Sequence, residues 1–384
     1  MSLDYTKMPF GLAFIVGQLV IGGAEQQLYH LLSGLDRSRF RLLVISLGVR
    51  PDEYWAQPIK SLDIPLWHMA RSLGRAGRVR QIARLLRSEK MQIVHGWDMH
   101  TNPYAAVAGR LAGIPLRFGS MRLNYELLAD NKFVRWIGYR GLDFLIANSA
   151  RAAEQVRQLR LTRAPVRVVP NGVYIPQQVS QAERSRLRLE LGFSDAHLLI
   201  GSIGRMDSNK NHTMLLRMFA ALTEKWPALR LVIIGDGPLK SHLAALAEQL
   251  GIAQKSCLPG SIPQAARYLQ AMDVFCLTSH TEGMPNVVME AAAAGVPVVS
   301  TTCGGSVELI ECGITGFLVS PTDVAAMTKR IDLLLANAEQ RRSMGQAGRE
   351  KICRAFSVQA MVTRMTQVYE EALAARGLGN WEAI

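Results

Sequence analysis

The chain is predicted to be α/β, with two doubly wound, Rossmann-like domains of parallel sheet. Three observations lead there. Short apolar runs of strand length alternate with segments of helical period. The alternation lapses in a stretch rich in Pro, Gln and Val, Tyr174 to Ser180, and then resumes. A chain of 384 residues is long enough for two hydrophobic cores of ordinary size. The expected domains are residues 1–176, with 358–384 packing back on them, and residues 177–357.

In chain order, Phe10 to Val16 reads as the first strand, and Gly22-Gly23-Ala24-Glu25 opens a helix through Leu28, Leu31 and Leu32. The glycine pair would let backbone approach a ligand closely, but the motif is not G-x-G-x-x-G and carries no dinucleotide fingerprint. Met8 to Ala24 has the apolar character of a leader peptide. It contains Gln18, lacks a convincing cleavage site and ends in the glycine turn, so strand, turn and helix start is the expected reading. Arg41 to Leu47 follows as a strand and Val79 to Leu86 as a helix, where Arg80, Arg84 and Arg87 form either a solvated basic face or a binding one.

Gln92 to Trp97 is a buried strand leaving into a loop, and residues at such carboxyl ends line the ligand crevice of a doubly wound sheet. His95 is therefore a candidate, either as a reactive group or as a hydrogen-bonded core histidine. After the helix Asn102 to Ala112, Leu116 to Gly119 forms the next strand, whose exit places Arg122 at the same crevice. Phe133 to Arg140 mixes aromatics with arginines at helical spacing, fitting a lipid interface or packing on its own domain. Strands at Asp143 to Asn148 and Val166 to Val169 complete the half.

The second series begins at Leu198 to Gly204, whose following loop carries Arg205 and Lys210, two cations suited to a diphosphate. Leu231 to Ile234 is a strand ending in Gly235-Asp236-Gly237-Pro238, Leu239 to Leu250 a helix, and Leu258 to Ile262 a short strand and turn. Ala271 to Thr278 feeds the stretch Thr281-Glu282-Gly283-Met284-Pro285-Asn286-Val287, which continues into an Ala-rich helix holding Glu290. A helix starting at Pro285 or Asn286 aims free N–H groups at the loop, a setting for phosphate. Glu290 within an apolar helix is costly without a partner. Gly304-Gly305-Ser306 makes another turn, Gly313 to Ala336 finishes the domain, and Val358 to Ala375 is a last amphipathic helix.

Composition sets further bounds. Residues 1–176 hold 24 Lys and Arg against 12 Asp and Glu, while the remainder holds 20 against 19, so the basic character belongs to the first half. That asymmetry points to an anionic partner, with an anionic membrane surface met through residues 1–176 as one expectation. Scattered arginines without a recognition motif argue against nucleic acid. No window offers the 18 or so uninterrupted apolar residues of a spanning helix. The five cysteines, Cys257, Cys276, Cys303, Cys312 and Cys353, show no C-x-x-C pairing and are expected to be reduced core residues of a cytoplasmic protein, with no metal site.

Two cations, a helix N-terminus and two carboxylates together complement an activated sugar, a nucleoside diphosphate with hydroxyl-bearing rings at each end. Eight residues of helix would separate Glu282 and Glu290 by about 12 Å, too far for the paired carboxyl groups of a glycosidase. They read as two grips on one long ligand.

These motifs resemble the retaining GT-B glycosyltransferases of family 4. The carriers are Gly22-Gly23-Ala24-Glu25, Pro170-Asn171-Gly172-Val173, Gly204-Arg205 with Lys210, Gly235-Asp236-Gly237-Pro238, and the Glu282 to Glu290 element, in the family's order. The resemblance implies two domains facing across a cleft and a UDP- or GDP-sugar as co-substrate, with no cofactor or metal. It implies a glycan or polyprenyl-linked acceptor, and work at the cytoplasmic face of a membrane. Glu290 would accept ribose hydroxyls, Glu282 would hold the donor sugar, and the amides of Gly283, Met284, Pro285–Asn286 and Val287 would meet sugar and phosphate. Arg205 and Lys210 would neutralise the leaving diphosphate. Ile262 would lie beside the base, and Gly22 and Gly23 near the diphosphate and acceptor. Where several members have a sugar-contacting His, this chain has Ser120-Met121-Arg122, which puts Arg122 in its place. A sugar-nucleotide epimerase or hydrolase on the same fold, or a basic lipid-binding protein, are the rival readings.

Overall fold

A computed structural model describes residues 9–48, 53–70, 72–122 and 138–378. The chain divides into two compact units, residues 1–172 with 358–384, and residues 173–357.

The first unit is a seven-stranded sheet built from β1 (Phe10–Val16), β2 (Phe40–Ser46), β3 (Leu66–His68), β4 (Ile93–Gly96), β5 (Leu116–Met121), β6 (Phe144–Ala147) and β7 (Val166–Val168). Its order is β3-β2-β1-β4-β5-β6-β7 and every pairing is parallel. The crossovers include α1 (Gly23–Gly34), α2 (Ala56–Lys60), α3 (Arg75–Ser88), α4 (Asn102–Ala112) and α5 (Ala150–Gln158). The central strands β1, β4 and β5 are buried on both faces, as helices on either side require, while the edge strands β3 and β7 are half-buried or exposed. In α3, Ile82, Ala83, Leu85 and Leu86 are buried while Arg80, Arg84 and Arg87 are exposed, the division expected of an amphipathic crossover.

The second unit holds α6 (Gln181–Glu190), β8 (Leu198–Ile203), α7 (His212–Leu222), β9 (Leu229–Ile234), α8 (Lys240–Gln249), β10 (Ser256–Gly260), β11 (Val274–Leu277), α9 (Asn286–Ala293), β12 (Val298–Thr301), α10 (Ser306–Leu309), β13 (Gly316–Val319), α11 (Val324–Ala336) and α12 (Ala338–Ala355). Its six strands run parallel in the order β10-β9-β8-β11-β12-β13. Strand order reverses between β1 and β4 in one unit and between β8 and β11 in the other. Ligands of doubly wound sheets bind beyond the carboxyl ends of the strands at such reversals. The loop carrying Arg205 and Lys210 follows β8 and the loop carrying Glu282 follows β11, so both leave from the switch point of the second unit.

The helix α13 (Val358–Ala375) belongs to the first unit. Val358, Met361, Val362, Met365, Tyr369, Ala372 and Leu373 join Leu12, Phe14, Leu28, Leu31, Phe40 and Phe118 in one buried cluster.

The structure differs from the sequence reading in several places. The boundary falls between Gly172 and Val173, ahead of the expected 176. Gly172 is held by α1, with Gln27 Nε2 donating to its carbonyl and its N–H donating to Gln27 Oε1, both at 2.8 Å. The Val173 N–H donates to Phe356 O at 2.9 Å within the second unit. Helices α5, α6 and α12 escaped the sequence reading because their polar faces dilute the apolar period. Cys276 and Cys303 are buried as expected, but Cys257 and Cys353 are half-buried and Cys312 is exposed. Residues 133–137 of the aromatic and arginine stripe lie outside the described residues. Among the described residues no helix is long and apolar enough to cross a membrane.

Candidate functional site

Two loops of the second unit meet at its switch point. Lys210, at the end of the β8 loop, places Nζ 2.5 Å from Glu282 Oε1 in the β11 loop, and Ser279 Oγ donates to the same oxygen at 2.7 Å. Both side chains are largely shielded from water, at 20% and 16% exposure, which strengthens their attraction over that of a surface pair. Arg205 sits earlier in the loop with 71% of its side chain exposed, 3.6 Å from Asp207. The cation nearest the carboxylate is thus already engaged, and the other faces water.

Asn209 joins the two loops. Its Nδ2 donates to Thr281 O at 2.9 Å, the Thr281 N–H donates to its Oδ1 at 3.1 Å, and the His280 N–H donates to its backbone carbonyl at 2.8 Å. Thr278 Oγ1 adds a bond to Lys210 O at 2.7 Å. A third loop braces the second from behind. Gly304, at φ +49°, lies so close that a Cβ there would collide with the Glu282 carbonyl oxygen, and the Gly305 N–H donates to Gly283 O at 2.6 Å. Only glycine meets both conditions at position 304.

Beyond Glu282 the chain runs through buried Gly283, Met284 and Pro285 into α9, whose N-cap is Pro285. Proline has no side-chain acceptor, so the start of α9 carries no side-chain cap. Asn286 and Val287 are half-buried on the first turn and Glu290 is half-buried one turn on, while Val288, Met289, Ala291, Ala292 and Ala293 fill the core. Ile262, beyond β10, packs partly buried against the same core. His212, at the first position of α7, is buried beside Lys210 and Asp207, and burial with the Lys210 charge lowers its pKa to about 4.

In the first unit the glycine turn opens α1, as the sequence reading expects. Gly22 is the N-cap and Gly23 is exposed. A Cβ at Gly22 would collide with the Glu25 carboxylate, which also accepts from its own backbone N–H. Burial raises the Glu25 pKa; its backbone N–H opposes the shift, and Asp98 adds to it. Trp97, at the exit of β4, donates from Nε1 to Ala24 O at 2.7 Å.

The guanidinium of Arg122, at the exit of β5, lies 3.5 Å from the centroid of the Trp97 ring and donates from Nη1 to Asn171 Oδ1 at 3.2 Å. Burial lowers its pKa to about 9, and Tyr369, Asp98 and Glu25 pull it back.

His95 is corrected from candidate reactive group to core residue. It is 0% exposed, with Nδ1 2.7 Å from Tyr369 Oη and Nε2 2.8 Å from Ser120 Oγ, inside a cage of Phe14, Trp97 and Phe118. Burial, helped by the Arg122 charge, holds its pKa well below the usual value and keeps the ring neutral.

The structure thus brings Lys210 and Glu282 together and follows them with α9 and Glu290. It adds Asn209 and Ser279, which carry no sequence signature, and removes His95. Two open parallel sheets with charged loops at their switch points define a class, the GT-B fold proteins. A family model described as "Glycosyl transferases group 1" matches residues 183–351, and one described as "Glycosyltransferase Family 4" matches residues 21–175. The chain belongs to the group 1 glycosyltransferases of family 4 type.

It is 33% identical over 277 residues to the Vi polysaccharide biosynthesis protein VipC/TviE of Salmonella typhi, covering 68% of this chain and 46% of that protein. It is 26% identical over 363 residues to the lipopolysaccharide core biosynthesis glycosyltransferase LpsE of Rhizobium meliloti, covering 92% and 96%. The chain spans about half the length of the first curated relatives it matches. The crystal structure of Anabaena Alr3699/HepE in complex with UDP has the same fold, with a TM-score of 0.82 at 20% identity over 94% of this chain and all of that one.

Proposed function

We propose that the chain transfers a sugar from a nucleoside-diphosphate sugar to a glycan or lipid-linked acceptor, with retention at the anomeric carbon and without a metal ion. The product would be a cell-surface polysaccharide or glycolipid. The observation that carries the reading is the Lys210–Glu282 pair at the switch point of the second unit, followed directly by the side-chain-uncapped start of α9 and Glu290. Support comes from relatives named for Vi polysaccharide and lipopolysaccharide core biosynthesis, and from HepE, crystallised with UDP and with UDP-glucose.

In this reading the diphosphate meets Lys210, Arg205 and the backbone N–H groups of Gly283, Met284, Asn286 and Val287, where its charge is stabilised by cations and aligned dipoles. Glu290 holds the ribose and Ile262 lies beside the base. Glu282, released as the incoming phosphate takes over Lys210, accepts hydroxyls of the donor sugar. The acceptor oxygen bonds to the anomeric carbon as the bond to the leaving phosphate breaks, and the acceptor proton passes to that phosphate. No side chain becomes a covalent nucleophile. The protein's share of the work is orientation and charge stabilisation.

The test is nucleotide release from UDP- and GDP-sugars, with lipid-linked saccharide acceptors and chelator present. Lys210→Ala and Glu290→Ala should each abolish release in folded protein; undiminished turnover in both would remove the reading. Product analysis without acceptor separates transfer from epimerisation or hydrolysis. We also propose that the protein works in the cytoplasm at the membrane's inner face, held by the basic first half. Its sedimentation with anionic vesicles, and its failure to sediment with neutral ones, checks that.

A further inference from the structure

Arg122 is a buried cation with no carboxylate paired to it among the described residues. It is 8% exposed, its guanidinium lies over Trp97, one nitrogen donates to Asn171, and Nε is buried with no hydrogen-bond partner. Glu25 and Asp98 act on it at longer range, and no carboxylate among the described residues forms an ion pair with it.

The contrast within the chain is instructive. Arg188, 1% exposed, is fully provided for. Its Nη2 meets Asp273 Oδ2 at 2.8 Å, Nε donates to Ala271 O at 2.9 Å, and Nη1 donates to His197 O at 2.8 Å. A buried arginine that serves packing is paired in this way, because an uncompensated buried charge is strongly destabilising. Among the described residues Arg122 has no such carboxylate partner, and it stands at the carboxyl end of β5, beside the β4 exit at the first unit's switch point, where a ligand belongs. A planar guanidinium seated on an indole also holds its orientation for a two-oxygen anion.

We infer that Arg122 binds an anionic group, a carboxylate or a phosphate, on the saccharide substrate, so that the sugar handled by this chain is acidic. The inference rests on the transferase reading and deepens it. A neutral hydroxyl would leave the guanidinium charge unmatched, whereas a sugar carboxylate or phosphate completes it. The anionic group belongs either to the transferred sugar or to the acceptor, and the two are distinguishable by experiment.

The full chain is titrated calorimetrically in two arms. The donor arm compares UDP-glucuronate with UDP-glucose and UDP. The acceptor arm compares a glucuronate-containing disaccharide with its neutral glucose counterpart, and glucose 6-phosphate with glucose. In one arm the acidic probe is expected to bind about tenfold tighter than its neutral twin, the order expected of a charge-assisted pair. Arg122→Met should cancel that preference and leave the affinity for UDP within about twofold. The arm that responds identifies the source of the anion. If Arg122→Met does not fold, Arg122→Lys, which keeps the charge and loses the planar fork, should show reduced discrimination. Equal binding of acidic and neutral probes by the wild type, or a preference that survives in the folded variant, overturns the inference. If the wild type binds no nucleotide, the transferase reading falls, and the acidic against neutral saccharide comparison still decides the role of Arg122.

Discussion

Asn209 and Thr281 pair through both edges of one carboxamide, Nδ2 giving a hydrogen bond to the Thr281 carbonyl and Oδ1 taking one from its N–H. The side chain behaves as a short piece of strand and fastens the cation loop to the carboxylate loop across 72 residues of sequence. Asn209→Ala is expected to lower kcat/KM by about ten- to a hundredfold, since small misplacements of positioned groups have effects of that size. The loss of stability should stay near 2 kcal/mol for two hydrogen bonds. Amide exchange should show residues 207–210 and 280–282 losing protection together while β8 and β11 keep theirs. Independent behaviour of the two loops would contradict the fastening.

Gly304→Ala should damage the site from behind. The position combines φ +49° with contact against the Glu282 carbonyl oxygen, so the added methyl displaces the loop that carries Glu282. A destabilisation of about 1–3 kcal/mol is expected from the backbone strain alone, with nucleotide affinity falling further than for Gly313→Ala, where nothing lies within 4 Å of the added carbon. Paired melting curves and nucleotide titrations make the comparison.

Acid should weaken both units. His30, whose Nδ1 lies 3.2 Å from Gly172 O, and His212 have pKa values lowered to about 4, each chiefly by burial. The unfolded chain protonates these rings below about pH 6.5 while the folded chain keeps them neutral. Between pH 6.5 and 4 the unfolded state therefore binds more protons, and stability falls as pH falls through that window, by up to the order of 3 kcal/mol per ring. Above pH 6.5 these two groups contribute no pH dependence. Urea unfolding at stepped pH should show the slope, and His212→Gln should reduce it for the second unit alone.

Arg188→Met should destabilise the second unit by about 3–5 kcal/mol, because it strands Asp273 and several carbonyls that the guanidinium satisfies. Arg184, whose Nη2 meets Asp273 Oδ1 at 2.8 Å, remains as a partial partner. Calorimetric melting resolves the effect if the first unit's transition stays in place.

The sheets were legible because parallel strands buried on both faces read as unbroken apolar runs, as in β1, β8 and β9. The loop content at the second unit's switch point was legible because its chemistry sits in consecutive residues, Arg205 to Lys210 and Glu282 to Glu290. Asn209 was not, since a side chain paired with distant backbone leaves no periodicity or composition to read. Arg188 lies on α6, a helix that the sequence did not reveal, and its burial follows from Asp273, far along the chain. His95 was chosen for its place at a strand end. What decides its role is Tyr369, 274 residues away on the last helix, whose amphipathic pattern announces that it packs back on the first unit but leaves open which side chains it meets.

That docking also sets an order of events during synthesis. The core of the first unit closes over Val358 to Leu373, and those residues leave the ribosome only after all of β8 to α12 has emerged. The second unit therefore has every strand and helix it needs while the first is still missing one wall. The chain begun first is completed last, and until α13 arrives the cluster around Phe14, Phe40 and Phe118 stands open to whatever else in the cell binds exposed apolar surface.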